Sequence, residues 1–300
     1  MSINRTSLSE QLKKNPDIKP IDIEILRKWV STQPHLPAKY ITDLDLLLVY
    51  HCSDRSHQVA KQLLDLNLTL RTMFPFFQKR EFDKNLQLSF QTCLLTPLLG
   101  LSVKGNPIFY FQYLDSDPKN FVCKDAVKHF LMVIDLWQLV EGTFPGLAIL
   151  LDLGNFNFGH IARIDLTVIQ QIFYYVQEAI FLQYREFHII NAPTFMDSLL
   201  SMFRPFIKKQ LYEMIKIHQR GSNTLYKYID QDILPKELGG KNKGIFELRD
   251  EQLRIVKNNQ EYLLEESKKR VDESKRPGNP KTLSTLFTGM EGSFKTLDID

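Results

Sequence analysis

From residue 107 to residue 219 the chain alternates strand-length apolar runs with unusually apolar helices. GLAILLDL (146–153) is a continuous apolar run of strand length, the pattern of a strand buried on both faces. FHIIN (187–191) reads as a second buried strand, and MIKIHQ (214–219) alternates as a third. PIFYFQYL (107–114), after the turn LSVKGN, looks like a strand upstream of them. Apolar helices over 125–140, 166–181 and 195–207 fill the intervals. This order is βαβ logic and predicts an α/β fold with a mostly parallel sheet and right-handed crossovers.

The flanks differ. Residues 1–85 read as a helical subdomain, with Ser7 or Ser9, and then Thr42 or Asp43, as helix caps. Residues 86–246 hold the α/β pattern. Residues 247–300 turn polar: GIFEL (244–248) reads as a short strand and 248–272 as an exposed, charge-rich helix. The last fifteen residues, LFTGMEGSFKTLDID, carry enough apolar side chains to dock back on the domain.

Several function classes are disfavoured. The net charge of +3 is too mild for bulk nucleic-acid binding, so no nucleic-acid partner is expected. Three scattered cysteines without a CxxC indicate neither a disulfide framework nor a zinc ribbon. The N-terminal stretch lacks an apolar signal region, and no run is long enough for a membrane span. G-x-G-x-x-G, P-loop and G-x-S-x-G motifs are absent. Asp152, at the end of a buried strand, is expected to bond turn N–H groups rather than to catalyse. No catalytic residue, metal or cofactor is expected, and the chain is read as not an enzyme.

The helix over 195–207 has more apolar surface than one packing stripe needs. Its polar residues, Asp197, Ser201, Arg204 and then Lys208, form one thin line. Three helices of this kind around a short sheet point to an internal apolar cavity rather than to core alone.

The segment HIINAP, a hydrophobic helix, RPF and then IKIHQRGSNTLYKYIDQDILPKELGG resembles the core of CRAL-TRIO lipid-binding domains. The match is to the branch with alpha-tocopherol transfer protein-like and cellular retinaldehyde-binding protein-like members. GLAILLDLGNFNFGH fits that family's central strand, LRKWVSTQPHLP and DLDLLLVYHC its N-terminal helices, and the tail resembles insect members. The resemblance implies a sheet that floors a lipid pocket and a gate helix that swings out at a membrane.

Carried over by position, the resemblance implies a ligand site of His129, Val133, Trp137, Ile149, Leu151, Phe158, Ile172, Tyr175, Val176, Ile180 and Leu182. Phe203, Phe206 and Ile207 would form the inner face of the gate, and Phe195, Leu199 and Met202 its membrane-facing side. His129 and Val133 replace serines of the tocopherol carrier. Arg185 matches one basic position of a phosphoinositide site, whereas Gln183, Met214 and His51 replace three others. Arg204, Lys208, Lys209 and Lys216 keep the region basic. The expectation is a monomeric cytoplasmic carrier of one hydrophobic lipid, peripherally associated with membranes that include phosphoinositide surfaces. The rival readings are a lipid-responsive module that docks on a protein partner and a lipid-modifying enzyme.

Overall fold

The computed structural model describes residues 3–287. The N-terminal part is helical: α1 (Leu8–Lys14), α2 (Pro20–Ser31), α3 (Asp43–Cys52), α4 (His57–Met73) and α5 (Lys84–Thr92). Local sequence sets their starts. Ser7 and Glu10, and again Thr42 and Asp45, exchange side-chain-to-backbone hydrogen bonds at the first turns of α1 and α3. Pro20 opens α2, where its missing N–H costs nothing. Leu26, Val30, Leu46, Leu47, Leu64 and Leu68 bury the inner faces of α2, α3 and α4 in a core of their own.

Five strands follow: β1 (Cys93–Leu101), β2 (Pro107–Tyr113), β3 (Leu147–Asp152), β4 (Tyr184–Ile190) and β5 (Ile215–His218). Their spatial order is their chain order. β1 is antiparallel to β2, and the other three pairings are parallel. The crossovers are α6 (Cys123–Glu141), then α7 (Phe158–Ile161) with α8 (Leu166–Glu178), then α9 (Met196–Phe203) with α10 (Lys209–Met214). The strand period of two assigns the faces. Phe109 and Ile149 face front, toward α6 and α8. Tyr110, Ala148 and Leu150 face back, toward Leu225, Leu234 and Leu248. The described residues end with α11 (Ile245–Asn258), α12 (Gln260–Glu266) and α13 (Leu283–Phe287).

Four expectations need correction. β1 is a strand that the sequence reading leaves unassigned. Pro97 and a bulge between Leu98 and Leu101, with Gly100 at φ 118°, break its pattern, which an edge strand tolerates. GIFEL is helical. Both carboxylate oxygens of Glu237 accept the N–H of Ile245, at 3.0 and 2.9 Å, and so start α11. Residues 248–272 form two helices separated at Asn259, and they are not simply exposed: Leu248, Gln252, Val256, Leu263 and Glu266 are buried. The helix expected over 195–207 stops at Phe203, and a 3-10 turn through Pro205 follows.

Glu266 explains why α12 is held inside. It forms ion pairs with Arg71 and Arg80, both of which also pair with Asp135. All four groups are buried, so the C-terminal helices, α4 and α6 are clamped by one charge cluster. Of the tail, Phe287 stacks on Phe74 and lies edge-on to Tyr174. Residues 288–300, the rest of the expected docking segment, lie outside the described residues.

Candidate functional site

In front of the sheet, between β2, β3, β4, α6 and α8, lies a cavity of about 250 Å³. Phe109, Phe111, Ile149, Leu151 and Phe187 form its floor, since alternate strand residues point the same way. Val127 and Phe130 of α6 face Ile169, Ile172, Phe173 and Val176 of α8 across it, each set at helical spacing. Leu211 of α10 closes one side. Every lining side chain is uncharged. The polar atoms on the wall belong to Tyr113, Tyr184 and Cys123. Burial raises the pKa of all three, which keeps them neutral donors. The Tyr184 hydroxyl is buried and has no hydrogen-bond partner among the described residues. A buried hydroxyl without a partner costs about 1–3 kcal/mol, so a ligand acceptor that reached it would recover that energy.

Segment 191–214 leaves β4 at Asn191, which sits at φ 52° and donates to Asp152 Oδ1 at 2.9 Å. Asp152 also accepts from Tyr110 Oη at 3.0 Å and from the Gly154 N–H at 2.8 Å. It therefore ties the turn after β3 to the start of segment 191–214. α9 lays Met196 and Leu199 onto Leu153, Phe156 and Ile189, while Asp197, Ser198 and Ser201 face outward. The Phe203 ring lies 6.0 Å from that of Phe173, on the cavity wall. Gln177 of α8 pins the turn by donating to the Phe206 carbonyl and accepting the Lys208 N–H. An ion pair between Lys208 and Glu178 adds to this.

Of the expected ligand-site residues, Ile149, Leu151, Ile172 and Val176 line the cavity. The others lie elsewhere, for geometric reasons. His129 and Val133 share a face of α6 turned from the one that presents Val127 and Phe130. His129 is wholly buried with its ring centroid 3.7 Å from that of Phe90 and its Nδ1 3.2 Å from Ser89 Oγ. Burial pushes its pKa down to about 3, so it is neutral. Val133 and Trp137 line a separate groove beside β1 and α11. Tyr175 is one helical step from Val176 and points toward α4, where its hydroxyl accepts from Asn67. Ile180 and Leu182 line a second groove beyond the end of α8. Phe158 is 71% exposed on the short helix α7. Phe203, Phe206 and Ile207 belong to the pinned turn and do not line the cavity. The expected membrane face is also turned inward: Leu199 is 5% exposed, and Phe195 and Met202 are half-buried against the same cluster.

The expected anionic-lipid contacts are spread apart. Arg185 and Lys208 share the groove beyond α8, together with Asp54 and Glu178. Arg204 lies over the Tyr212 ring, Lys209 pairs with Glu213, and Lys216 sits over Tyr228. Among the described residues, no group of acidic, histidine and cysteine side chains is arranged to hold a metal ion. No described helix is long and apolar enough to cross a membrane.

Sequence reasoning missed Phe111, Tyr113, Phe130, Phe173, Tyr184, Phe187 and Leu211. For Phe111 and Tyr113 the signal was present: the period of two along β2 groups them with Phe109. For Leu211 no local signal existed, because it reaches the cavity only through the bend at Pro205.

An α/β sheet with an uncharged internal cavity, one edge of which lies under a helix-turn-helix segment, defines a binding domain for hydrophobic ligands. Residues 92–240 match the family model of the CRAL/TRIO domain. The chain therefore carries a CRAL/TRIO domain and is, in general terms, a lipid-binding protein of the transfer class. It is similar to Clavesin-2 of Homo sapiens, at 23% identity over 235 residues, covering 77% of this chain and 71% of that protein. It is also similar to Clavesin-1 of Mus musculus, at 22% identity over 242 residues, covering 77% and 66%. Among solved structures, Sfh5 superposes with a TM-score of 0.45 at 14% identity, over 86% of this chain and 83% of that one.

Proposed function

We propose that this chain carries one uncharged hydrophobic molecule in the front cavity and exchanges it with membranes through movement of segment 191–214. The observation that supports this best is the cavity wall: uncharged throughout and rich in aromatic rings, with the unpartnered Tyr184 hydroxyl buried behind it. The fitting ligand is mostly hydrocarbon with few polar atoms. Tocopherol, retinoid, carotenoid and terpenoid chemistry all meet that description. A phosphate head group meets no cation inside this cavity.

The work is desolvation, with no bond made or broken. Apolar area taken from water is worth roughly 25 cal/mol per Å² to ligand and wall alike. Opening costs the contacts that α9 makes with Leu153, Phe156 and Ile189. A bilayer interface offsets that cost by taking up Met196, Leu199 and Met202, at about 1.5–3 kcal/mol for each large apolar side chain. A membrane thereby shifts a two-state gate without any chemical step. Arg185 and Lys208, beside the gate, meet an anionic surface in the open form, and phosphoinositide is one such surface. On this reading the chain works as a monomer in the cytoplasm and docks on membranes peripherally.

The test is organic extraction of the purified protein with mass spectrometry, paired with transfer of a fluorescent tocopherol analogue between vesicles. Wild type should yield a neutral lipid and speed transfer. Ile172→Trp, which fills the cavity from α8, should remove both while the protein stays folded. Unimpaired transfer by folded Ile172→Trp overturns the assignment of the cavity.

A further inference from the structure

We propose that the back of the sheet carries an acid-sensitive clasp, in which a His188–His218 hydrogen bond joins the two strands that hold both ends of segment 191–214 and parts in acid. The idea builds on that segment acting as the gate. β4 delivers the chain into the segment and β5 receives it, so whatever ties β4 to β5 on the back also fixes the gate at both ends. Phe187, Ile189 and Ile215 of the same strands face front, against the cavity and α9. His188 and His218 face back and are buried.

The hydrogen bonds form one chain. His188 Nδ1 lies 3.0 Å from His218 Nε2, and His218 Nδ1 lies 2.9 Å from Thr224 Oγ1. Thr224 Oγ1 in turn lies 2.8 Å from Ser222 Oγ. At the other end, His188 Nε2 faces Glu186 Oε2 at 3.6 Å, and neither atom has another partner among the described residues. Glu186 Oε1 accepts from Ser102 Oγ at 2.5 Å and from Asn106 Nδ2 at 2.7 Å. Burial alone raises the Glu186 pKa, but these bonds and His188 outweigh it, so the carboxyl is held low and ionised.

An ionised Glu186 sets the direction of the chain. If His188 Nδ1 carried the proton, its bare Nε2 would face the carboxylate, lone pair against lone pair. The favoured order is the reverse: Thr224 donates to His218 Nδ1, His218 Nε2–H donates to His188 Nδ1, and His188 Nε2–H points at Glu186. Both rings are neutral in this arrangement, with each Nδ1 an acceptor.

Acid undoes it in two steps. One added proton is tolerated on His218, which then donates at both nitrogens while Thr224 turns to accept. A second proton, on His188, sets two N–H groups against each other across 3.0 Å. The other groups facing the pair are Lys216, whose cation opposes the charge, Glu186, which favours it, and the Tyr228 ring, 5.0 Å from His188 and 6.0 Å from His218. Burial, the neighbouring ring and Lys216 outweigh Glu186 and push His188 down to about 4. The clasp thus holds through neutral pH and yields as the pH falls toward 4.

The test uses the full chain. Nitrogen NMR of histidine side chains at pH 7 should show unprotonated Nδ1 and protonated Nε2 on both rings; the opposite tautomer on either ring overturns the proposal. Hydrogen exchange, corrected for intrinsic rates, should show protection of 191–214 falling at least tenfold between pH 7 and pH 4 while α4 stays protected. Equal loss in α4, or no loss in 191–214, overturns it. His218→Gln keeps the Glu178–Lys208 pair, on which acid also acts, so the same loosening in that variant overturns it too. Failure of lipid transfer at pH 7 counts against the carrier reading alone, because tautomers and exchange report the clasp directly.

Discussion

Gln177 and Lys208 meet side chain to backbone: the Lys208 N–H donates to Gln177 Oε1 at 2.7 Å, while the same amide donates through Nε2 to the Phe206 carbonyl at 2.8 Å. One side chain on α8, next to Val176 of the cavity wall, thereby holds two backbone groups of segment 191–214. The Lys208–Glu178 ion pair and the packing of Phe203 on Phe173 add to this hold on α8.

Gln177→Ala should loosen the gate without touching the cavity wall. Two hydrogen bonds worth about 0.5–1.5 kcal/mol each are lost, which is on the order of a 5- to 160-fold shift toward opening. Ligand dissociation measured by stopped-flow fluorescence should speed up accordingly, with little change in melting temperature. An unchanged off-rate would sink the latch.

Tyr184→Phe separates hydrogen bonding from shape. Affinity for a ligand with a hydroxyl or carbonyl should fall by about 1–2 kcal/mol, roughly 5- to 30-fold, while a hydrocarbon analogue binds equally well or better. An equal loss for both ligands shows that the ring matters and the hydroxyl does not.

Leu199→Asp places a charge on a side chain that is packed inward. It should destabilise the closed segment by about 2–5 kcal/mol and raise exchange across 191–214. Retention of ligand should suffer, and not merely the rate of membrane transfer. Wild-type exchange and retention would instead return Leu199 to the outer face.

Glu266→Gln leaves Arg71 and Arg80 buried with too little countercharge and should cost about 3–5 kcal/mol in urea unfolding. The cluster also fixes the sign of the acid response. Burial raises the Glu266 and Asp135 carboxyls, but the guanidiniums overcome it and hold both below the usual range. Groups lowered in the folded state bind fewer protons there. Their stability is present above about pH 4.3 and is lost as pH falls toward the folded values. His129, lowered from 6.5 to about 3, works in the same direction and begins to cost stability below about pH 6.5. Urea midpoints should therefore fall steadily from pH 6.5 to pH 3, and a flat profile would contradict the cluster.

The sheet was legible where one residue run decides the outcome. GLAILLDL has the length and continuous apolar character of a strand buried on both faces, and the alternation within it already separates Ile149 and Leu151 from Ala148 and Leu150. β1 was hidden because Pro97 and Gly100 are tolerated only at an edge, and being an edge is a property of the whole sheet. GIFEL looked extended because its helix start depends on Glu237, eight residues upstream. The motif around Glu237 was recognised by resemblance, and its physical reason emerges only in three dimensions: a side chain at Gly240 would place Cβ 1.9 Å from the Leu234 carbonyl oxygen. In the site, carry-over by position groups Tyr175 with Val176, whereas one helical step, roughly 100°, separates the cavity wall from a contact with α4. His129 lay on the wrong side of α6 for a similar reason.

The cavity has a consequence for the lifetime of the protein. Cargo that covers the apolar wall of this cavity removes its surface from water at roughly 25 cal/mol per Å², a gain of up to a few kcal/mol. That is a sizeable share of the whole stability margin of an ordinary domain, about 5–15 kcal/mol. Cargo in such a space acts as the last piece of the core. Degradation follows the population of opened molecules when opening is fast. On the carrier reading, abundance of the protein should then track the supply of its ligand, with no sensor beyond the fold itself.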